Sequence, residues 1–423
     1  MMLQHLGYKD LIVCSMVCKC FYKLVKEAVQ LSYIVELGVD GFVDGPPSDL
    51  GTCERLQILL DLPERWRTFD WVKREIVNLY PTKRKFHMEY AQGLFSQIMR
   101  RSSEEGQYDS SIFSTVLPTH STQAAEYGSL GEDHQHWTHF CMDPAADVII
   151  FAAIDTQLLN GTQLGTHSIE VESYLSFVPR SLSSNGTRPH PLCRSECLQL
   201  MAGTRSASIL DPQIAGDMVG VTIIACGKNS IAIYNWQSGE LVILLTPRRW
   251  VQIMTHLDPW PVKDFAFLSP RSFVLSSERW ISPRCVEHAA LLLFTFCDDS
   301  SDGVPWTVAT GVVKHIVTLV LPEVAEGQYS SGYVNTTSCA SYHPRGIPFK
   351  VADPSRVLVY DAGQDTSPLS VRMVIHTDVF AKARKLLSTE STGKGRNIPW
   401  DAWGPEYTRV FTHNYVSLAQ NAN

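Results

Sequence analysis

The apolar period changes near residue 85, and that change limits what this chain can fold into. Before it, Leu11, Cys14, Val17, Cys18, Phe21, Leu24 and Val25 recur at spacings of three and four. A helix turns once in 3.6 residues, so the spacing gathers them on one face of one or two helices. Asp10 stands where an acid favours a helix start, beside N–H groups that have no helical partner. A second helical stretch runs from about Leu31 to Gly38, and Asp44-Gly45-Pro46-Pro47 breaks it. Ser48 and Thr52 open another, with Glu54, Arg55, Leu56, Leu59 and Leu60. Pro63 is expected to end it, because proline has no N–H for the helical ladder.

Beyond residue 85 the period is two. Short runs of Val, Ile, Phe and Leu alternate with Gly, Asp, Asn, Ser and Pro clusters. The runs are 148–154, 169–177, 219–226, 231–236, 241–245, 264–268, 291–296, 316–321, 357–360 and 371–376. Each is short enough to be a strand. Strands that follow one another without helices between them make sandwiches, barrels or propellers. The expected class is α+β: a helical segment over 1–45, a helical linker over 46–85 and a large all-β domain over 86–423. Polar stretches 101–114 and 180–194 read as long loops, and 390–400 as a mobile connection. One isolated helix is expected at Ala381–Leu387.

Composition narrows the function. Hydrophobic residues make 44% of the 423 and charged residues 19%, enough to build a full core. The net charge of -7 lacks the basic footprint that phosphate backbones require, so no nucleic-acid partner is expected. The run Lys83-Arg84-Lys85 reads as a solvated face. Cysteine numbers 11, an odd count spread along the chain, unlike a disulfide framework. No apolar leader follows Met1, and no run approaches the ~20 apolar residues of a membrane span. No membrane partner is expected, and the compartment is read as cytosol or nucleus.

Leu3, Leu6, Tyr8, Asp10, Leu11, Cys14, Val17, Cys18, Lys19 and Phe21 stand in the order of an F-box. The sequence Val17-Cys18-Lys19-Cys20-Phe21 resembles that family's Val-Cys-basic-x-Phe signature. The resemblance implies docking onto the Skp-type adaptor of a cullin–RING ubiquitin ligase. It carries the adaptor contact to Leu3, Leu6, Leu11, Val17, Cys18 and Phe21, several of which are equally suited to packing inside the module. The Leu-Pro pair and acidic residue that open an F-box would fall before Leu3. The segment is therefore expected to be N-terminally truncated, through a start further upstream or a degraded module. Residues 38–47, Glu54-Arg55-Leu56, Trp66–Trp71 and Ile398–Pro405 resemble F-box proteins of mushroom-type fungi.

Residues 231–245 read strand, Ser238-Gly239 turn, strand, and resemble one blade of a WD-type propeller. Asn235-Trp236 stands in place of the Trp-Asp pair. At 40–45 residues per blade, the β-region would hold about seven blades.

Chemistry-bearing clusters are sparse. His134, His136, His139 and Cys141 have ligand-type side chains, but Trp137, Phe140 and Asp143-Pro144 mark a strand entry. His190, Cys193 and Cys197 lack a matching second cysteine pair. Neither is expected to hold a metal, and no cofactor is expected. Cys14 and Cys18 read as packing residues, and Trp236, Trp250, Trp260 and Trp280 as core or turn packing. No nucleophile elbow or kinase signature occurs. The expected function is a non-enzymatic substrate receptor that binds an adaptor through its N-terminal helices and an unknown protein substrate through its β-domain. A propeller-like scaffold without adaptor binding is the alternative, followed by a propeller hydrolase.

Overall fold

The computed structural model describes residues 2–45, 49–68, 87–102, 108–116, 125–127, 137–158, 171–184, 186–201, 207–210, 212–225, 228–246, 262–282, 285–296, 313–322, 332–336, 348–352, 357–363, 369–387 and 396–414. A helical head is followed by five consecutive β-sheets arranged as the blades of a propeller.

After a 3-10 turn at Met2–His5, the head holds α1 (Tyr8–Val17), α2 (Lys19–Glu27) and α3 (Val29–Val39). The expected continuous apolar face is broken twice. Cys18 is extended at φ -159 and ψ 163, and Ala28 leaves helical geometry at φ -80 and ψ 108. Three helices therefore fold back on one another. Leu11, Val25 and Leu31 are buried between them, with Leu3, Leu6, Leu24, Ala28, Ile34 and Val35 packed around. Gly38 lets α3 approach α1, because a Cβ there would run into the Tyr8 ring. Helix α4 (Thr52–Thr68) continues through Pro63 rather than ending at it. Proline removes its own N–H bond and crowds the preceding turn, and side chains brace the turns around it: Gln57 donates to Asp61 at 2.8 Å and Arg67 Nε to Glu64 at 2.8 Å.

The first blade is β2 (Met88–Ala91), β3 (Leu94–Ser102), β4 (Tyr108–Val116) and β5 (Ala125–Tyr127); the second is β6 (His139–Asp143), β7 (Val148–Leu158), β8 (Val171–Ser181) and β9 (Leu198–Met201). The third pairs β10 (Ala207–Ile209) and β11 (Gln213–Ala215) with β12 (Met218–Ala225), then β13 (Lys228–Asn235) and β14 (Glu240–Leu245). The fourth is β15 (Val262–Ser269), β16 (Ser272–Ser282), β17 (Cys285–Phe296) and β18 (Val313–Val320). The fifth is β19 (Gly332–Thr336), β21 (Val357–Gly363), β22 (Leu369–His376) and β24 (Thr408–Asn414).

Five blades replace the expected seven because the second, fourth and fifth use more chain than a compact repeat. The fourth runs from Val262 to Val320, with strands of 11 and 12 residues in its middle. The stretch 101–114 is mostly strand, not loop: β3 and β4 pair from Leu94↔Val116 to Ser102↔Tyr108. Ser114 is buried there beside Ile112 and Phe113. Within the expected mobile connection, β23 (Arg396–Ile398) adds in parallel to the outer edge of β18. The isolated helix appears as α5 (Asp378–Leu387). It packs Val379, Phe380 and Ala383 into the core shared by the fourth and fifth blades, beside Trp403.

Blade faces carry the core. One cluster joins the first and second sheets around Trp137, Phe140 and Ile149. Another joins the second and third around Phe177, Val221 and Trp236, and a third joins the third and fourth around Ile233, Phe265 and Phe294.

Head and propeller meet at a third element. Between β19 and β21 the chain forms β20 (Phe349–Val351), which pairs antiparallel with β1 (Phe42–Asp44) just after α3. The boundary expected at residue 45 thus falls beside a strand held by the β-domain. Phe349 is buried with Tyr33, Leu37 and Leu59 from α3 and α4, and its ring lies tilted against Phe42 with centroids 5.4 Å apart.

Candidate adaptor-docking face

Placement divides the six residues carried over from the F-box pattern. Leu11 is fully buried, and Leu3 and Leu6 are half-buried against the same small core. These three hold the head together. Val17, Cys18 and Phe21 are exposed around the bend between α1 and α2. They are joined by residues that the pattern did not point to: Val13, Met16 and Tyr22, with Met16 80% and Val17 69% exposed. Val13, Met16 and Val17 stand three and four apart, so they form one stripe along α1.

The signal for that stripe lies in α1 itself. Its sequence Tyr-Lys-Asp-Leu-Ile-Val-Cys-Ser-Met-Val is apolar on more than one side. A helix of that kind with neighbours on one side only leaves apolar side chains in water. Helix α2 differs: Leu24 and Val25 face inward, while Lys19, Lys23, Lys26 and Glu27 are exposed. The face is therefore apolar along α1 and basic along α2.

The joint fixes this face relative to the propeller. The Tyr33 hydroxyl donates to Asp44 at 2.7 Å, and Arg55 Nη1 donates to the same carboxylate oxygen at 2.6 Å. Burial, and then the Asp44 carboxylate, push the Tyr33 phenol up to about 12. One carboxylate on β1 thereby holds α3 and α4. Gly45 N–H donates to Pro348 at 2.9 Å and Ala352 N–H to Gly41 at 2.8 Å, closing the two-stranded pairing at both ends.

The clusters weighed for metal chemistry are structural where they are described. His134 and His136 lie outside the described residues. Cys141 is wholly buried, and burial raises its thiol well above the usual range, so it stays protonated. Cys193 donates to the carbonyls of Ser195 and Trp236. His190 stands edge-on to Trp236 at 4.9 Å. Among the described residues no group of three or more His, Cys, Asp or Glu is placed to hold a metal ion. No described helix is long and apolar enough to cross a membrane. Trp236 is buried and donates Nε1–H to Gly216 at 2.8 Å, as a turn-packing residue. Asn235, in the place of the Trp-Asp pair, accepts from the N–H groups of Gln237 and Ser238 and donates to Asp217 at 2.9 Å. Asp217 in turn binds Arg271 of the next blade at 2.7 and 2.9 Å. Trp250 and Trp260 lie outside the described residues, as does the side chain of Trp280.

Residues 3–29 match the model of the F-box domain. No curated protein matches the chain. Among solved structures, the chain is similar to oligopeptidase B from Leishmania major, at 11% identity and a TM-score of 0.29, over 70% of this chain and 32% of that one. The β-propeller domain of the Trilobed protease from Pyrococcus furiosus aligns at 9% identity and a TM-score of 0.30, over 68% of this chain and 89% of that one. An acylaminoacyl peptidase from Pyrococcus horikoshii aligns at 8% identity and a TM-score of 0.26, over 69% and 51%. The chain thus spans about a third of the Leishmania enzyme's length. The N-terminal helices are an F-box domain, carried on a five-blade propeller-like β-domain.

Proposed function

We propose that this chain is the substrate-recognition subunit of a cullin–RING ubiquitin ligase. The head docks a Skp-type adaptor, and the propeller holds a protein substrate. The observation that carries the reading is the uncovered apolar stripe of α1, inside the segment that matches the F-box model. Fully burying a side chain such as Val or Met stabilises a complex by ~1.5–3 kcal/mol. Four or five such residues in one place are a sufficient anchor for a helical partner surface.

The scaffold alternative required the head's leucines to be spent on the β-domain. Leu3 and Leu6 pack on the head's own core instead, and none of the stripe's residues belongs to the cluster at the Phe349 joint. In this reading the chain does no chemistry, binds no nucleic acid or membrane, and works in the cytosol or nucleus. The segment 38–47 and the tryptophans at 400 and 403 support a place among F-box proteins of mushroom-type fungi. The Asn235-capped turn supports a divergent WD-type blade.

The test is co-purification of the chain with a Skp-type adaptor, beside a Met16→Asp, Val17→Asp variant. Capture by the first and loss by the second is expected. Equal capture by both would move the contact elsewhere, and capture by neither would end the receptor reading.

A further inference from the structure

The loop 182–197, between β8 and β9, is pinned along its length. The Arg180–Pro189 bridge holds one limb, and Arg194 N–H donates to Gln237 at 2.9 Å on the other. At its centre His190 is buried. Its Nδ1 accepts from Leu192 N–H at 3.2 Å, so Nε2 carries the proton that meets the Ala146 carbonyl at 3.1 Å. Pro189 and Pro191 fix two φ angles beside it. Arg188, Pro191, Leu192 and Arg194 project into solvent from this frame, Leu192 at 61%. Neither arginine has an ion pair among the described residues. Glu196 is the loop's one acidic residue, and the nearby Asp147 carboxylate is already taken by Ser181 and Ser183. Two guanidinium groups with no ion pair among the described residues thus flank an exposed leucine on a chain of net charge -7.

The loop lies at the same end of the propeller as the head. It abuts the Gln237 turn, which is joined through Trp236 and Asp217 to Arg271 in the β15–β16 turn. Strand β19 runs parallel to β15: Val334 N–H reaches Asp264 at 3.3 Å and the Thr336 hydroxyl reaches Phe267 at 3.4 Å. The chain therefore leaves β19 at the Arg271 end, and there it forms β20 and holds the head.

From this we infer that the 182–197 loop is a docking site for an acidic, extended peptide with an apolar side chain. Carboxylates of the peptide pair with Arg188 and Arg194, and its apolar residue packs on Leu192 and Pro191. Charge complementarity selects the partner, and the pinned loop loses little freedom on binding. The inference rests on the receptor reading only for the fate of the bound peptide, which would be presented on the head's side.

The experiment is fluorescence anisotropy with the full chain and no adaptor. The probes are a labelled peptide of Glu and Asp around a Leu-Val centre, and its Gln and Asn counterpart. The acidic probe is expected to bind, and to weaken as salt rises. Arg188→Glu with Arg194→Glu should weaken it by about tenfold or more, and Leu192→Ala by roughly three- to tenfold. All three positions are exposed, and Arg188→Gln with Arg194→Gln gives a milder second variant if charge reversal disturbs folding. Failure of the acidic probe to bind, or equal binding of both probes, overturns the proposal. So does a duplex oligonucleotide that competes fully while Leu192→Ala changes nothing, since that marks a general anion surface. Adaptor capture is measured separately, so loss of one result leaves the other readable.

Discussion

The propeller packs its largest apolar clusters between blades, whereas the head leaves a stripe of apolar side chains along one helix in water. The inner strands of the second to fourth blades bury successive residues on both faces, and Phe265, Phe273 and Phe294 are fully buried there. Polar side chains complete the seams by binding backbone. Gln213 donates to the Phe265 carbonyl at 2.9 Å and accepts from Phe267 N–H at 3.1 Å, as a strand would. Asp264 accepts from Thr222 on one side and from Val334 on the other. Glu278, fully buried, accepts from Gly332 N–H and from the Tyr360 hydroxyl. The head has three short helices and one small core, and nothing among the described residues covers Met16 or Val17. The difference teaches that the same apolar residues serve stability in one region and recognition in the other. Substitutions should separate the two.

The largest loss of stability is expected at a seam. Trp236→Ala removes a buried ring and its bond to Gly216, and should cost ~3–5 kcal/mol in a denaturant titration. A loss below about 1 kcal/mol would show that the turn tolerates the cavity and that the seam is not cooperative. Phe349→Ala should cost a similar ~3–5 kcal/mol locally, because the ring is the propeller's contribution to the α3–α4 core. Its signature is different: hydrogen exchange should rise in α3 and α4 while the blades stay protected. Protection lost equally in both regions would mean that head and propeller unfold as one unit.

A smaller effect is expected at the joint's polar network. Asp44→Asn should cost ~1 kcal/mol, since the carboxylate is exposed on one side while the Tyr33 hydroxyl is buried. Titration reads the same site. Burial, helped by Asp44, raises Tyr33 to about 12, and burial raises Tyr234 to about 12. An unfolded tyrosine ionises near 10. Stability from both phenols is therefore fully present below pH 10 and is lost as pH rises toward 12. Tyrosinate absorbance should show a late component in that window. Asp44→Asn should move part of it earlier, though not to 10, because burial remains the larger cause.

Least of all should change at the exposed stripe. Met16→Asp and Val17→Asp touch no core residue, and the melting curve should hold within about 0.5 kcal/mol. A larger loss would mean that the stripe supports the fold.

The sequence showed the helices of the head and the alternation of the blades, because both are written in local period. The runs at 148–154 and 371–376 are strands, and 231–236 is one as far as Asn235. Long-range features left no such mark. The three residues of β1 find their partner at Phe349–Val351, some three hundred residues on, and no local pattern announces it. Blade count escaped because the repeats vary in length, and Pro63 misled because side-chain bonds on either side of it hold the helix it weakens. At the candidate site the signature Val17-Cys18-Lys19-Cys20-Phe21 marked the right bend. It mixed Leu11, a core residue, with Val17 and Phe21, which face water, because burial depends on how three helices fold back. Val13, Met16 and Tyr22 went unmarked for the same reason.

The most direct test is capture of a purified Skp-type adaptor by the intact chain and by the Met16→Asp, Val17→Asp variant at matched stability. The account predicts that the intact chain retains the adaptor and that the variant, still folded, does not. Retention by both, or by neither, would contradict the assignment of this stripe to the adaptor.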